Sequence, residues 1–145
     1  MPEVSAKEEN MSKGRILVVS DQPNIRRALR ITLGAEGYEV TDAETGNAAL
    51  CPDLVRKHDL VLLDSDMTDS TGVETCREIR SGSDIGVVVM SARAPEEDKA
   101  QALEAGARDY ISKPFGMAEI KACVRANMSG QRQTPPAFQA ELKAS

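Results

Sequence analysis

Short apolar runs alternate with helical patterns along most of the chain. Residues 16–19, 60–63 and 87–90 are almost purely aliphatic, and unbroken apolar character marks strands buried on both faces, as in a parallel sheet covered by helices. Two weaker runs complete the set. Residues 38–43 alternate and carry Glu39 and Asp42, the pattern of a half-exposed edge strand, while residues 110–112 form a short run that ends in a serine. Between the runs, Ile25, Ala28, Leu29, Thr32 and Leu33 recur at helical spacing, with Arg26, Arg27 and Arg30 turned outward and Pro23 suited to a first turn. Gly37 stops that helix. Further helices are predicted over 45–57, 71–81, 96–104 and 116–126; Gly106 ends the fourth, and Pro52 should kink or shorten the second.

Five strand–helix units in strict alternation imply right-handed crossovers. The predicted class is α/β, a flavodoxin-like doubly wound (βα)5 domain over residues 15–126 with a parallel five-stranded sheet. The most apolar runs belong at the centre of the sheet, which gives the order 2-1-3-4-5. Residues 1–14 are expected to be a tail. Residues 127–145, with Gly130, Pro135 and Pro136, read as a linker or the start of a missing output domain.

Composition narrows the function. A chain of 145 residues supports one ordinary domain, and a hydrophobic content of 41% with only 3% aromatic residues means a core of Val, Ile, Leu, Ala and Met. Eighteen basic against twenty-three acidic residues give a net charge of −5, the wrong sign for a domain that grips nucleic acid by its backbone. Cys51, Cys76 and Cys123 are odd in number and lack metal-ligand spacing, which fits reduced thiols in a cytoplasmic protein. No uncharged run is long enough to span a membrane, and the acidic, polar residues 1–10 do not form a signal peptide.

Open α/β sheets bind ligands beyond the carboxyl ends of their strands, where the winding reverses. In the predicted order that rim gathers Ser20-Asp21-Gln22, Asp64-Ser65-Asp66, Ser91-Ala92 and Lys113-Pro114. Asp21 and Asp64 can hold Mg2+, a hard cation that favours one or two carboxylates, several waters and a phosphoryl oxygen. Asp64 can also attack phosphorus to give an acyl phosphate, with Lys113 and Ser91 contacting the other oxygens. Taken alone, Asp21 reads as a helix cap, Ser91 as a cap or strand end, and Tyr110 as edge packing.

The segments Ile16-Leu17-Val18-Val19-Ser20-Asp21-Gln22-Pro23, Leu60-Val61-Leu62-Leu63-Asp64, Val89-Met90-Ser91-Ala92 and Asp109-Tyr110-Ile111-Ser112-Lys113-Pro114-Phe115 resemble the motifs of the receiver domain of two-component response regulators. Ser91-Ala92-Arg93, Asp98-Lys99, Ala105-Gly106-Ala107 and Ser112-Lys113-Pro114-Phe115-Gly116 look most like the OmpR/PhoB class, with its potassium-responsive KdpE branch as the narrower likeness. The resemblance implies a signalling domain rather than an enzyme, limited to self-phosphorylation and self-dephosphorylation. Asp64 is then the phosphoacceptor and Mg2+ the cofactor, held by Asp21, Asp64 and the backbone carbonyl of Asp66. Lys113 contacts the phosphoryl group beside a cis peptide to Pro114, and Ser91 and Tyr110 are the switch pair. The implied donor is a phosphohistidine on a sensor histidine kinase. DNA is reached only through a winged-helix output domain, which this sequence lacks.

The class also implies a weak homodimer on phosphorylation, through the face of the fourth predicted helix, the last strand and the last helix. Lys99, Asp109, Glu119 and Arg125 occupy matching positions there, whereas Arg108 replaces an acid and Cys123 an arginine. Three further departures stand at the site: Ser20 in place of an acid, Gln22 in place of a frequent acid, and Thr68 in place of a common proline. Ser20 lowers the negative charge near the metal, so one alternative is a degenerate receiver independent of phosphorylation. Another is a haloacid-dehalogenase-type phosphatase, whose Asp-x-Asp-x-Thr pattern Asp64-Ser65-Asp66-Met67-Thr68 also satisfies. Only Glu119 and Glu141 follow Lys113, which leaves that enzyme without its paired metal-binding acids.

Overall fold

A computed structural model describes residues 12–67, 72–92 and 95–128, with only the backbone at 95–98. Most of both expected tails, Thr68, Arg93 and the expected helix start at Thr71 lie outside the described residues. The elements run β1 (Arg15–Val19), α1 (Pro23–Ala35), β2 (Glu39–Ala43), α2 (Gly46–Ala49), α3 (Pro52–Arg56), β3 (Leu60–Asp64), α4 (Gly72–Gly82), β4 (Gly86–Ser91), α5 (Pro95–Glu104), β5 (Asp109–Ser112) and α6 (Met117–Met128). All strand pairs are parallel, and the order is β2-β1-β3-β4-β5, as the sequence predicts.

Because side chains alternate across each strand, the central strands feed two cores. Ile16, Val18, Leu60, Leu62, Val88, Met90 and Ile111 pack on one face with Leu29 and Leu33 of α1 and Ile120 and Val124 of α6. Leu17, Val19, Val61, Leu63, Val87, Val89 and Tyr110 pack on the other with Ala49, Val55, Cys76, Ile79 and Ala102. β3 and β4 are buried from end to end, which is why their sequences read as unbroken aliphatic runs. β2 is the exposed edge that its alternation predicts.

The helix predicted over 45–57 is two helices. Thr45 caps α2 by accepting from the Ala48 N–H at 3.0 Å, Cys51 turns extended, and Pro52 opens α3 at a position where its missing N–H is not needed. Gly37 and Gly106, with φ of 106° and 105°, close α1 and α5 in the left-handed region that glycine adopts without strain.

Candidate functional site

Strand register assembles the site. Val19 pairs with Leu63, Asp64 with Met90, and Ser91 with Ser112, so four strand ends finish side by side. Asp64, the last residue of β3, is fully buried and surrounded by donors. Its Oδ1 accepts from Lys113 Nζ at 2.8 Å and from the Asp66 backbone N–H at 2.8 Å. Its Oδ2 accepts from the Ser20 hydroxyl at 2.7 Å.

Lys113 leaves β5 through a cis bond to Pro114, and its backbone N–H donates to the Ser91 carbonyl at 2.8 Å. Its ammonium bridges Asp64 and, at 3.0 Å, Asp66 Oδ2. Burial works against that charge, but the hydrogen bonds and charges of Asp64 and Asp66 outweigh it and raise the lysine above its ordinary pKa. Asp66 Oδ2 also accepts from the Ala92 N–H at 2.9 Å, which ties the β3 loop to the end of β4.

Asp21 is not the cap of α1. The N-cap is Gln22, whose N–H donates to the Ser20 hydroxyl oxygen at 3.1 Å. Arg26 supports the same turn from outside: it donates to the Ser20 carbonyl at 2.8 Å and lies 3.4 Å from Asp42 and 3.6 Å from Glu44. Ser91 is fully buried beside the rim, and the Tyr110 ring is buried among Val89, Ala102, Ala105 and Ala107. Among the described residues the Tyr110 hydroxyl is buried without a hydrogen-bond partner. Asp21, Asp64, Asp66, Ser91 and Lys113 thus all belong to one rim, while Tyr110 pairs with Val89, two residues before Ser91.

Among the described residues, no three acidic, histidine or cysteine side chains converge to hold a cation by themselves. With Ser20 in place of an acid, the hard donors at the rim are the Asp21 and Asp64 carboxylates and the Asp66 peptide carbonyl. That set fits Mg2+, which keeps most of its waters and needs few protein ligands.

A family model described as the response regulator receiver domain matches residues 16–125. The chain belongs to the response regulator receiver family. Curated relatives include the KDP operon transcriptional regulatory protein KdpE of Escherichia coli, 46% identical over 110 residues that make up 76% of this chain and 49% of the relative. Another is the transcriptional regulatory protein ResD of Bacillus subtilis, 37% identical over 87% of this chain and 52% of its own. Both are of the OmpR/PhoB class that the motifs indicate, and this chain spans about half the length of each. Among solved structures, the response regulator TrrA of Thermotoga maritima, in complex with Mg(2+)-BeF, is 37% identical with a TM-score of 0.69, covering 78% of this chain and 97% of that one. The BeF3-activated receiver domain of Klebsiella pneumoniae RstA is 28% identical with a TM-score of 0.74, over 82% of this receiver and 99% of its own chain. The phosphatase alternative lapses with these findings, and among the described residues no strand follows β5.

The residues expected on the dimer face separate into two groups. Asp109, at the start of β5, accepts from the Cys123 thiol at 3.6 Å and from Asn127 Nδ2 at 3.4 Å, and Glu119 stands exposed one turn before Cys123 on α6. Lys99 is exposed on α5. Arg125 lies elsewhere: it meets Glu36 at the end of α1, 3.4 Å away, and Lys121 reaches the same carboxylate at 3.8 Å. Arg108 does not simply reverse a charge on the face. Its guanidinium lies over Gly86 and donates to the Asn127 carbonyl at 2.9 Å. The sequence reading missed three contributors: the Arg26 clamp, the donor role of Ser20, and Gly72, whose missing side chain lets α4 pack directly on Ser65.

Proposed function

We propose that this receiver takes a phosphoryl group from the phosphohistidine of a sensor histidine kinase onto Asp64 and relays the signal, in the cytoplasm, to a DNA-binding output domain. The observation that carries this is the triple hydrogen bonding of one fully buried carboxylate at the end of β3, by Lys113, the Asp66 amide and Ser20. Burial keeps bulk water from the nucleophile, and the donors fix its direction before the phosphoryl group arrives. Phosphoryl transfer needs little beyond such positioning and charge stabilisation. Asp21, Asp64 and the Asp66 carbonyl would hold Mg2+, and the bound cation would offset charge on the phosphoryl oxygens. Lys113 exchanges its contact with Asp64 Oδ1 for a phosphoryl oxygen, and the Ser91 hydroxyl supplies a second contact. Tyr110 turns with Ser91 and changes the surface formed by α5, β5 and α6, through which two copies associate weakly.

Intact-mass measurement after treatment with acetyl phosphate and Mg2+ tests the assignment. One phosphoryl mass is expected on the wild type and none on Asp64→Asn; a mass that persists in the variant overturns it. The Ser20 hydrogen bond, in which a neutral hydroxyl meets Asp64 at a position the family usually fills with an acid, favours a second reading as a phosphorylation-independent module. No label on either protein would support that reading.

A further inference from the structure

Ser20 is buried with no exposed surface, and its hydroxyl both donates and accepts a hydrogen bond. The oxygen accepts from the Gln22 N–H at 3.1 Å, which directs the hydroxyl hydrogen into the 2.7 Å bond to Asp64 Oδ2. Arg26 holds the Ser20 carbonyl at 2.8 Å and is itself held by Asp42 and Glu44. The hydroxyl is therefore a fixed donor, aimed at the one Asp64 oxygen that neither Lys113 nor the Asp66 amide touches.

We infer that Ser20 is a positioning residue that shortens the life of the acyl phosphate, by stabilising the free Asp64 carboxylate more than its phosphorylated form. The inference rests on Asp64 being the phosphoacceptor. Oδ1 faces Lys113, a long side chain that can move away with an incoming phosphoryl group, whereas Oδ2 faces the buried turn after β1. Phosphorus therefore bonds to Oδ1, and Oδ2 becomes the carbonyl oxygen of the mixed anhydride. In hydrolysis a water oxygen forms the new bond to phosphorus and the Oδ1–P bond breaks, its electron pair returning to the carboxylate. The water gives up its proton to the departing inorganic phosphate or to solvent, and Ser20 keeps its own. Negative charge grows on Oδ2 at a donor already in place, and hydrogen bonds to charged acceptors are about twice as strong as those to neutral ones. Such a donor accelerates the step in which charge develops. The same bond restrains the carboxylate when it attacks, so it also lowers the steady phosphorylated fraction.

The test uses the full chain as wild type, Ser20→Ala and Ser20→Thr, with melting curves to confirm that each is folded. Each is phosphorylated with acetyl phosphate and Mg2+, desalted into chelator, and followed by intact mass. Loss of a charge-assisted hydrogen bond predicts a half-life longer by about five- to tenfold in Ser20→Ala. Ser20→Thr, which keeps the hydroxyl, should return the half-life to near that of the wild type. A half-life in Ser20→Ala equal to or shorter than that of the wild type overturns the inference and leaves the phosphoacceptor assignment standing. Failure to label all three proteins overturns that assignment and the inference with it.

Discussion

Alanine at Gly72 should strike the phosphoacceptor loop from beneath. Gly72 is buried as the first residue of α4, and a Cβ there would lie 2.6 Å from Ser65 Cα and 2.8 Å from Ser65 Cβ. Carbon atoms in comfortable contact sit about 3.5–4.0 Å apart, so helix and loop must separate by about 1 Å. Ser65 cannot yield cheaply, because its N–H is held by the Met90 carbonyl at 2.7 Å. Overpacking of this kind costs about 1–3 kcal/mol, and the helical advantage of alanine over glycine returns at most about 0.5–1 kcal/mol. The net destabilisation is about 0–2.5 kcal/mol, a fall in Tm of up to about 10 °C for a domain of this size. The chain has no tryptophan, so urea unfolding is best followed by far-UV circular dichroism; the midpoint should fall with the slope unchanged. Labelling by acetyl phosphate should slow as well, since a shift of about 1 Å at a reacting group can cost about a hundredfold. Gly34→Ala is the control: its Cβ meets nothing within 4 Å, and it should be neutral or stabilising. Gly72→Ala with wild-type stability and labelling would refute the packing argument.

Burial pushes Cys76 up to about 11, and burial followed by the Asp109 charge pushes Cys123 up to about 12, whereas Cys51 is exposed. A thiol reagent at neutral pH should therefore modify Cys51 in the folded protein and the other two only on unfolding. Both raised thiols favour the native state fully below their ordinary value of 9.0 and lose that contribution as pH climbs towards 11–12, so Tm should fall over this range, less steeply in Cys123→Ala. Sedimentation of the beryllofluoride-treated protein should show weak self-association that Glu119→Lys abolishes and Arg125→Ala spares; association indifferent to Glu119→Lys places the interface elsewhere.

The sheet is legible in the sequence because a parallel strand buried on both faces has no polar side to interrupt it; residues 60–63 could hardly lie anywhere but the centre. The site is legible for a related reason, since every strand in such a sheet points the same way and the residues after each strand share one rim. What stayed hidden depends on phase or on contacts across the fold. Pro52 is visible, but that it opens a new helix rather than kinking one depends on Cys51 turning extended. Arg125 falls at a family position, yet the phase of α6 sends it and Lys121, one turn apart, to Glu36. Ser20 reads as a missing charge; its role as a donor depends on the Gln22 N–H and on the pairing of β1 with β3. Gly72 reveals nothing until Ser65 is known to lie against it.

β5 joins the two ends of the proposed switch. Lys113 follows its last residue, and Asp109, its first, meets Cys123 and Asn127 on the final turns of α6. Four residues of strand span only about 13 Å, so a displacement of Lys113 towards a phosphoryl group acts on a short, stiff link to α6. Tyr110 lies between, with its ring buried and its hydroxyl lacking a partner among the described residues. An unsatisfied buried hydroxyl costs about 1–3 kcal/mol, while exposing the ring would forfeit burial worth about 1.5–3 kcal/mol. In the proposed switch these opposing terms are of similar size, which would bring an outward position of Tyr110 close in energy to the inward one. A difference that small is what one new contact at Ser91 or Lys113 can reverse. Coupling of this kind needs an element with two discrete arrangements, and in the proposed switch Tyr110 is that element, because its polar tip and its apolar ring prefer opposite sides of the surface.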